Sequence, residues 1–415
     1  LGMVDIAIAG HLSSPLYIGA IALGGAIFSM IYWNFNFLRM GTSGFTAQAY
    51  GARDFTEMIG NLVRSLLVAI SIGLLIVFLK HPIFSLARLF IQSGSETQEF
   101  VGIYFHTAVW SAPAMLGMYA LNGWLIGMQN ARTPMYIAVF NNLLNIILSF
   151  SFVYGLGMQI EGIALGTMLS QWISFLAMGA LIRKKYGRLR RYFNRKGTFR
   201  SSAFKDFFRV NTDIFIRTFL LVLVTAFFTF ASSGMGDTLL AVNSLLMQFF
   251  MLFSYFMDGF AYAGEALTGR FVGARSPLQL KKLIRHLFTW GVILAGITTL
   301  IYALFTPEIL RILTDKSDII KTAQSYLLWT ALIPFAGFSS FIWDGIYVGA
   351  TASKPMRNSM IIAALVFFIC FYSLVNLFSN NALWLSFILY LLFRGIMQTV
   401  FFFGKKSAFI PEEKG

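Results

Sequence analysis

The chain has 415 residues, of which 57% are hydrophobic and only 12% are charged, and its mean hydropathy is +0.72. Soluble domains carry about 25% charged residues, so this composition excludes a soluble globular protein and indicates an integral membrane protein. The single cysteine, Cys370, excludes a disulfide framework and a cysteine-ligated metal site.

Apolar stretches of about 20 residues, the length that crosses a bilayer as a helix, occur along the whole chain. They predict spans near residues 1–12, 16–40, 60–79, 101–126, 134–156, 160–182, 210–232, 238–263, 283–305, 325–349, 356–378 and 382–403. The first stretch is too short to cross at about 1.5 Å per residue, so we expect the chain to begin inside its first helix. No basic segment precedes it, which disfavours a cleaved signal peptide.

The two halves of the chain repeat a series of short motifs in the same order. The segment TAQAYGAR at residues 46–53 recurs as TGRFVGAR at residues 268–275. Further matches join Tyr104, Trp110, Pro113, Gly123, Gly127 and Pro134 to Tyr326, Trp329, Pro334, Gly345, Gly349 and Pro355. Such a repeat predicts one bundle duplicated with both copies running in the same direction, an arrangement typical of rocking transporters.

The sequence therefore predicts an all-α integral membrane protein with twelve transmembrane helices in two parallel-repeat six-helix lobes. The N-lobe is predicted over residues 1–182 and the C-lobe over residues 210–403. Residues 183–209 are predicted to form a basic cytoplasmic linker between the lobes, and residues 404–415 a cytoplasmic tail.

Lys and Arg are distributed unevenly over alternating loops. Of the 32 basic residues, 24 fall in one set of loops and tails, including eleven within residues 183–209. The other set holds five, Lys80, Arg88, Arg311, Lys316 and Lys321. By the positive-inside rule the basic side is cytoplasmic, which predicts a multi-pass protein of the cell (inner) membrane with both termini inside. The net charge of +15 is then a topological signal and not a sign of nucleic-acid binding.

Ionisable residues at membrane depth are costly and are candidates for function. The candidates at such depth are Arg39, Arg217 and Arg394, together with Asp5, Asp213, Asp258, Glu265 and Asp344. Asp213 and Arg217 are four residues apart on one helix, so they can form an ion pair with each other. Arg394 is expected to snorkel to the cytoplasmic end of the last span.

Arg39 is aligned with Asp258 on the second helix of each half, and both are expected to line a central cavity. Asp5 has no ionisable residue within helical reach on its own segment. A buried carboxylate without such a neighbour must find partners on other helices or bind a proton, so Asp5 is the foremost functional candidate. His106, alone in an apolar stretch, is expected to be packed rather than catalytic.

Several segments resemble one transporter family. Residues 1–12 (LGMVDIAIAGHL) are similar to the first-helix motif of the multidrug and toxic compound extrusion (MATE) family. Residues 142–148 (NLLNIIL) and 161–167 (EGIALGT) resemble its fifth and sixth helices. Residues 213–218 (DIFIRT) and 258–266 (DGFAYAGEA) resemble its DNA-damage-inducible (DinF) subfamily rather than the sodium-driven NorM-like one. The resemblance covers essentially the whole chain.

The resemblance implies a two-lobed bundle that exports amphipathic, often cationic, compounds in exchange for protons or sodium ions by alternating access. It also implies a site for the coupling ion in the first lobe, formed by Asp5, Asn145, Ser149 and Thr167. Ser149 departs from the family pattern, which commonly has a second carboxylate there. A metal cation needs several oxygens and compensating charge, whereas a proton needs one carboxylate, so the departure favours proton over sodium coupling. Candidates for the substrate cavity are Arg39, Asp213, Arg217, Asp258, Glu265 and Asp344.

Three alternative functions were compared with the residues: a flippase, a sodium-coupled antiporter and an intramembrane enzyme. A flippase for lipid-linked substrates would use Arg39, Arg217 and Arg394 to bind a phosphate headgroup, although the intramembrane acids argue against it. A sodium-coupled multidrug antiporter is a further alternative. An intramembrane enzyme is disfavoured because the sequence has no His-x3-His, Gly-x-Ser-x-Gly or cysteine motif. We therefore expect a monomeric transporter without metal or cofactor, whose partners are the lipid bilayer and small molecules.

Overall fold

The computed structural model describes residues 16–89 and 94–404, and these residues form helices without any β-strand. Ten segments among them are long and apolar enough to cross a membrane. The all-helical membrane fold is therefore confirmed for the described residues. The first predicted span, which carries Asp5, and nearly all of the predicted tail lie outside them.

The helices group into two compact units. The first unit contains the described residues up to Thr46 together with Asp54–Lys205, and the second contains Ala47–Arg53 and the residues from Asp206 onward. The first nine helices are α1 (Leu16–Asn34), α2 (Phe37–Gly51), α3 (Phe55–Phe78), α4 (Lys80–Arg88), α5 (Ser95–Ala108), α6 (Ala112–Gly127), α7 (Arg132–Phe150), α8 (Ile160–Tyr186) and α9 (Arg195–Thr198). The others are α10 (Ser201–Ser233), α11 (Asp237–Gly273), α12 (Pro277–Leu313), α13 (Ser317–Gln324), α14 (Leu327–Gly349), α15 (Ser353–Phe378) and α16 (Asn380–Gly404).

One predicted span of the first unit is interrupted. Residues 101–126 were expected to form one helix, but α5 ends at Ala108 and a 3-10 turn, Val109–Ser111, leads into α6. Pro113 lies in the first turn of α6. Its ring has no N–H and would clash with the carbonyl of residue 109 in a continuous helix, so the break falls just before it.

Glycines in the repeated motifs let helix backbones touch within each unit. A Cβ on Gly123 of α6 would collide with the carbonyl oxygen of Arg39, and a Cβ on Gly345 of α14 would collide with that of Ala261. Gly123 and Gly345 are repeat partners, so this packing matches Arg39 with Ala261. The predicted alignment of Arg39 with Asp258 is therefore wrong, because the backbone contacts make Ala261 the repeat partner of Arg39.

The motif at residues 46–53 has a related role inside the second unit. A Cβ on Gly51 would collide with the carbonyl oxygen of Arg270, and a Cβ on Gly273 would collide with that of Gln48. Repeat-related residues thus contact each other reciprocally, as in a two-fold interface. Just beyond these glycines, Arg53 and Arg275 both have positive φ, at 55° and 50°, which is the left-handed conformation that ends many helices.

Substituting Gly273 tests whether this close approach stabilises the fold. Gly273→Ala should lower stability by about 1–3 kcal/mol, because the added methyl group has to push two helix backbones apart. Gly296→Ala is the matched control, since a Cβ on Gly296 of α12 meets nothing within 4 Å. Thermal unfolding of the purified variants in detergent measures the difference. Equal midpoints for the two variants would contradict the tight contact at Gly273.

Candidate functional site

Three of the four residues predicted to hold the coupling ion lie together in the first unit. Asn145 and Ser149 are one turn apart on α7 and fully buried, and Thr167 lies on the neighbouring helix α8. The side-chain amide of Asn145 donates a hydrogen bond of 3.0 Å to the hydroxyl oxygen of Thr167. Gly166 allows this approach, since a Cβ there would collide with Ser149. The fourth residue, Asp5, lies outside the described residues.

Two oxygen atoms of this cluster have no hydrogen-bond partner among the described residues. They are Oδ1 of Asn145 and Oγ of Ser149. Buried polar atoms nearly always have a hydrogen-bond partner. These two oxygens could therefore accept a hydrogen bond from another group or coordinate a cation. All three side chains are neutral, and any charge at the cluster must therefore come from another group.

The helix that carries Asn145 and Ser149 changes its geometry directly after them. Residues Ser151–Gly155 form a π-helical turn, closed by a hydrogen bond of 3.2 Å from the amide of Leu156 to the carbonyl of Ser151. Such wide turns interrupt the regular α-helical ladder and occur frequently at functional sites.

A cavity of about 440 Å³ adjoins this cluster inside the first unit. Thr167 lies on its wall, so one threonine belongs to both the cluster and the cavity. The wall residues are neutral, and five of the thirteen are aromatic: Gly25, Phe28, Ser29, Tyr32, Trp33, Asn36, Tyr104, Ala108, Ser111, Met115, Tyr119, Thr167 and Gln171. A cavity of this size and character suits a small amphipathic molecule.

The second unit contains a buried ion cluster instead. Asp344 on α14 is 4% exposed and Arg394 on α16 is 1% exposed. The guanidinium groups of Arg394 and Arg217 both donate to the same carboxylate oxygen, Oδ2 of Asp344. Oδ1 accepts a hydrogen bond of 2.6 Å from the side-chain amide of Gln398. Arg394 also lies over the ring of Phe341, 5.4 Å from its centroid.

This cluster corrects two predictions. Arg394 does not snorkel to the surface, because a buried carboxylate lies within its reach. Asp213 does not pair with Arg217, although the two share a helix. Its carboxylate accepts hydrogen bonds from Arg357 (2.6 Å) and Ser353 (2.7 Å), both on α15. Each ion thus binds a partner on another helix rather than its neighbour along α10.

The remaining predicted cavity residues divide between the two units. Arg39 is buried in the first unit, where its Nε donates a hydrogen bond of 3.1 Å to Asn36, a residue of the cavity wall. Asp258 and Glu265 lie on α11 in the second unit. Asp258 interacts electrostatically with Arg394, and Glu265 is only 2% exposed.

Some site residues were missed in the sequence. Gln398 follows Arg394 by four residues and therefore lies on the same helix face, which could have indicated its role. Gln171 has the same relation to Thr167 on the cavity wall. His106 is packed, as expected, but its ring centroid is only 5.0 Å from that of His81. Nothing in the spacing of the histidines indicated this pair, because α4 and α5 bring them together.

Known proteins resemble this chain over nearly all of its length. The MatE family model matches residues 1–151 and 214–373. The DNA damage-inducible protein F of Escherichia coli K12 is 38% identical over 401 residues, which cover 95% of this chain and 86% of that protein. A probable multidrug resistance protein NorM of Acinetobacter baylyi is 24% identical over 79% of this chain and 74% of its own. A crystal structure of MATE in the bent conformation superposes with a TM-score of 0.86 at 22% identity, over 98% of this chain and 91% of that one.

Removing the carboxylate charge of Asp344 tests the ion cluster. Asp344→Asn should lower stability by about 3–5 kcal/mol, because it leaves two buried guanidinium groups without their counter-ion. Asp206→Asn is the control, since its exposed ion pair with Arg209 contributes at most about 1 kcal/mol. Thermal unfolding in detergent compares the two variants. A wild-type midpoint for Asp344→Asn would show that the cluster is not held by charge.

Proposed function

Because the chain belongs to the MATE family of membrane transporters, we propose that it exports small amphipathic compounds, including cations, in exchange for protons. Cargo binds in the cavity of the first unit and the proton binds at Asp5, and the protein alternates between inward- and outward-facing states. We expect this to occur in the inner membrane of the cell, with the basic loops and both termini in the cytoplasm.

The observation that carries this proposal is the position of Thr167. Its hydroxyl accepts the hydrogen bond from Asn145, and its side chain also lines the cavity. A change in the hydrogen bonding of the polar cluster therefore changes the wall against which cargo binds. Protonation of a carboxylate at this cluster would be such a change, since it turns an acceptor into a donor.

Charge supports a proton as the coupling ion. The described residues of the cluster supply an amide and two hydroxyls but no carboxylate, so Asp5 would bring the only negative charge. A proton needs one carboxylate, whereas a metal ion is held by several oxygens with compensating charge. One proton moving inward releases about 2.3 kcal/mol per 100 mV and about 1.36 kcal/mol per pH unit, which can drive the export of neutral cargo.

The ion pairs of the second unit support the assignment of the proton site to the first unit. Asp344 is already neutralised by two guanidinium groups, and Asp213 by Arg357. The same pairing disfavours a lipid-linked flippase, because Arg217 and Arg394 are engaged by a carboxylate rather than presented to a phosphate headgroup. Sodium coupling remains the competing form of transport, and its ligands would be the oxygens of Asn145, Ser149 and Thr167 with Asp5.

The decisive experiment measures efflux driven by a pH gradient in proteoliposomes with a panel of cationic dyes. Asp5→Asn keeps the size of the side chain and removes its charge, so it should abolish gradient-driven efflux while the protein stays folded. Asp315→Asn, which changes an exposed residue between α12 and α13, should transport normally. Normal efflux by Asp5→Asn would assign coupling to Asp258 or Glu265. Efflux driven by a sodium gradient at equal pH on both sides of the membrane would show that the coupling ion is sodium rather than a proton.

The link between cluster and cavity has its own test. Thr167→Val keeps the shape and removes the hydroxyl that accepts from Asn145, so efflux should fall at least about five-fold, the equivalent of about 1 kcal/mol. Thr225→Val is the matched control, because the hydroxyl of Thr225 bonds only to carbonyls of its own helix. Equal efflux by the two variants would remove Thr167 from the mechanism.

A further inference from the structure

The stretch predicted as a linker is a folded surface element for most of its length. Residues 183–205, which we call the basic platform, comprise the end of α8, a 3-10 helix (Gly187–Tyr192), α9 and the start of α10. Tyr192 stacks on Phe55 of α3 with ring centroids 5.0 Å apart. The buried guanidinium of Arg64, also on α3, donates a hydrogen bond of 3.2 Å to the carbonyl of Thr198, which is itself buried. The platform is thus fixed to the first unit.

The platform presents an unusual density of positive charge. It contains ten basic residues and no acidic one, and all ten are exposed. Within the described part of the chain none of the ten forms an ion pair with a carboxylate. They are Arg183, Lys184, Lys185, Arg188, Arg190, Arg191, Arg195, Lys196, Arg200 and Lys205. The Debye length is about 8 Å at physiological ionic strength, so neighbouring charges on a rigid surface repel each other unless anions bind there.

Aromatic side chains accompany these charges. Phe193 and Phe199, on either side of α9, are 41% and 43% exposed. Exposed aromatic rings among Lys and Arg, directly after a membrane-spanning helix, suit the boundary between headgroups and acyl chains. A free inorganic anion would make no use of the rings, whereas a phospholipid offers both an anionic headgroup and an apolar boundary.

We propose that the basic platform binds anionic phospholipid headgroups of the adjoining leaflet. Lys and Arg side chains near an anionic membrane surface are attracted to its headgroups, and Phe193 and Phe199 lie at the level of the glycerol groups. Because Arg64 and Tyr192 join the platform to α3, lipid bound there stabilises the first unit. The site is independent of the cavity and of the coupling ion.

The test uses the full-length protein purified in a neutral detergent at low ionic strength. Phosphatidylglycerol should raise the thermal midpoint of the wild type, and phosphatidylcholine should not. A platform variant, Arg188→Gln with Arg190→Gln, Arg195→Gln and Lys196→Gln, should lose at least half of that shift. The control variant, Lys281→Gln with Lys282→Gln, Arg285→Gln and Lys354→Gln, removes four exposed charges elsewhere and should keep it.

Three results would overturn the proposal. An equal loss in the control variant would show that only net charge matters. An equal shift of the wild-type midpoint by inorganic phosphate would make a free anion the ligand. A photoactivatable phosphatidylglycerol, applied to the wild type so that no variant needs to fold, should label residues 183–205. Labelling confined to other segments would exclude the platform as the lipid site.

Discussion

Polar groups at membrane depth must form their hydrogen bonds and ion pairs inside the protein. The buried ion cluster of the second unit is the clearest example of this constraint. One carboxylate, Asp344, binds two guanidinium groups and one amide from two other helices. Leaving any of these charges alone in an apolar medium would cost several kcal/mol. The ion cluster therefore fixes the relative positions of α10, α14 and α16, and α14 in turn packs against α11 and α12.

The first unit meets the same constraint with neutral groups. Asn145 donates a hydrogen bond to Thr167, Ser149 adds a neutral hydroxyl, and the neighbouring cavity is lined by aromatic and neutral polar residues. A neutral hydrogen bond contributes only about 1 kcal/mol net, so it can be rearranged at a cost that one proton can supply. The two copies of one bundle thus have different chemistry. The neutral hydrogen bonds of the first unit can be rearranged, whereas the ion cluster of the second unit holds its helices in fixed positions.

The repeated glycines show why the duplication was visible in the sequence. Gly123 and Gly345 allow the same backbone contact in each unit, and Gly51 and Gly273 contact each other's segments reciprocally. No larger side chain fits where a carbonyl oxygen lies against the Cα atom. Such positions depend on backbone geometry alone, so their spacing is the same in both halves while the charged residues around them differ.

The sequence by itself determined the membrane class and the approximate limits of most described spans, and it indicated the duplicated bundle, because these follow from apolar length and from backbone contacts that recur at fixed spacing. It also indicated Asn145, Ser149 and Thr167 through family resemblance. Only the tertiary structure decided the ion partners. Arg217 has Asp213 one turn away along α10 and yet pairs with Asp344, while Asp213 pairs with Arg357. Helix periodicity describes neighbours on one helix, whereas buried charges pair with whichever group the packing brings within reach.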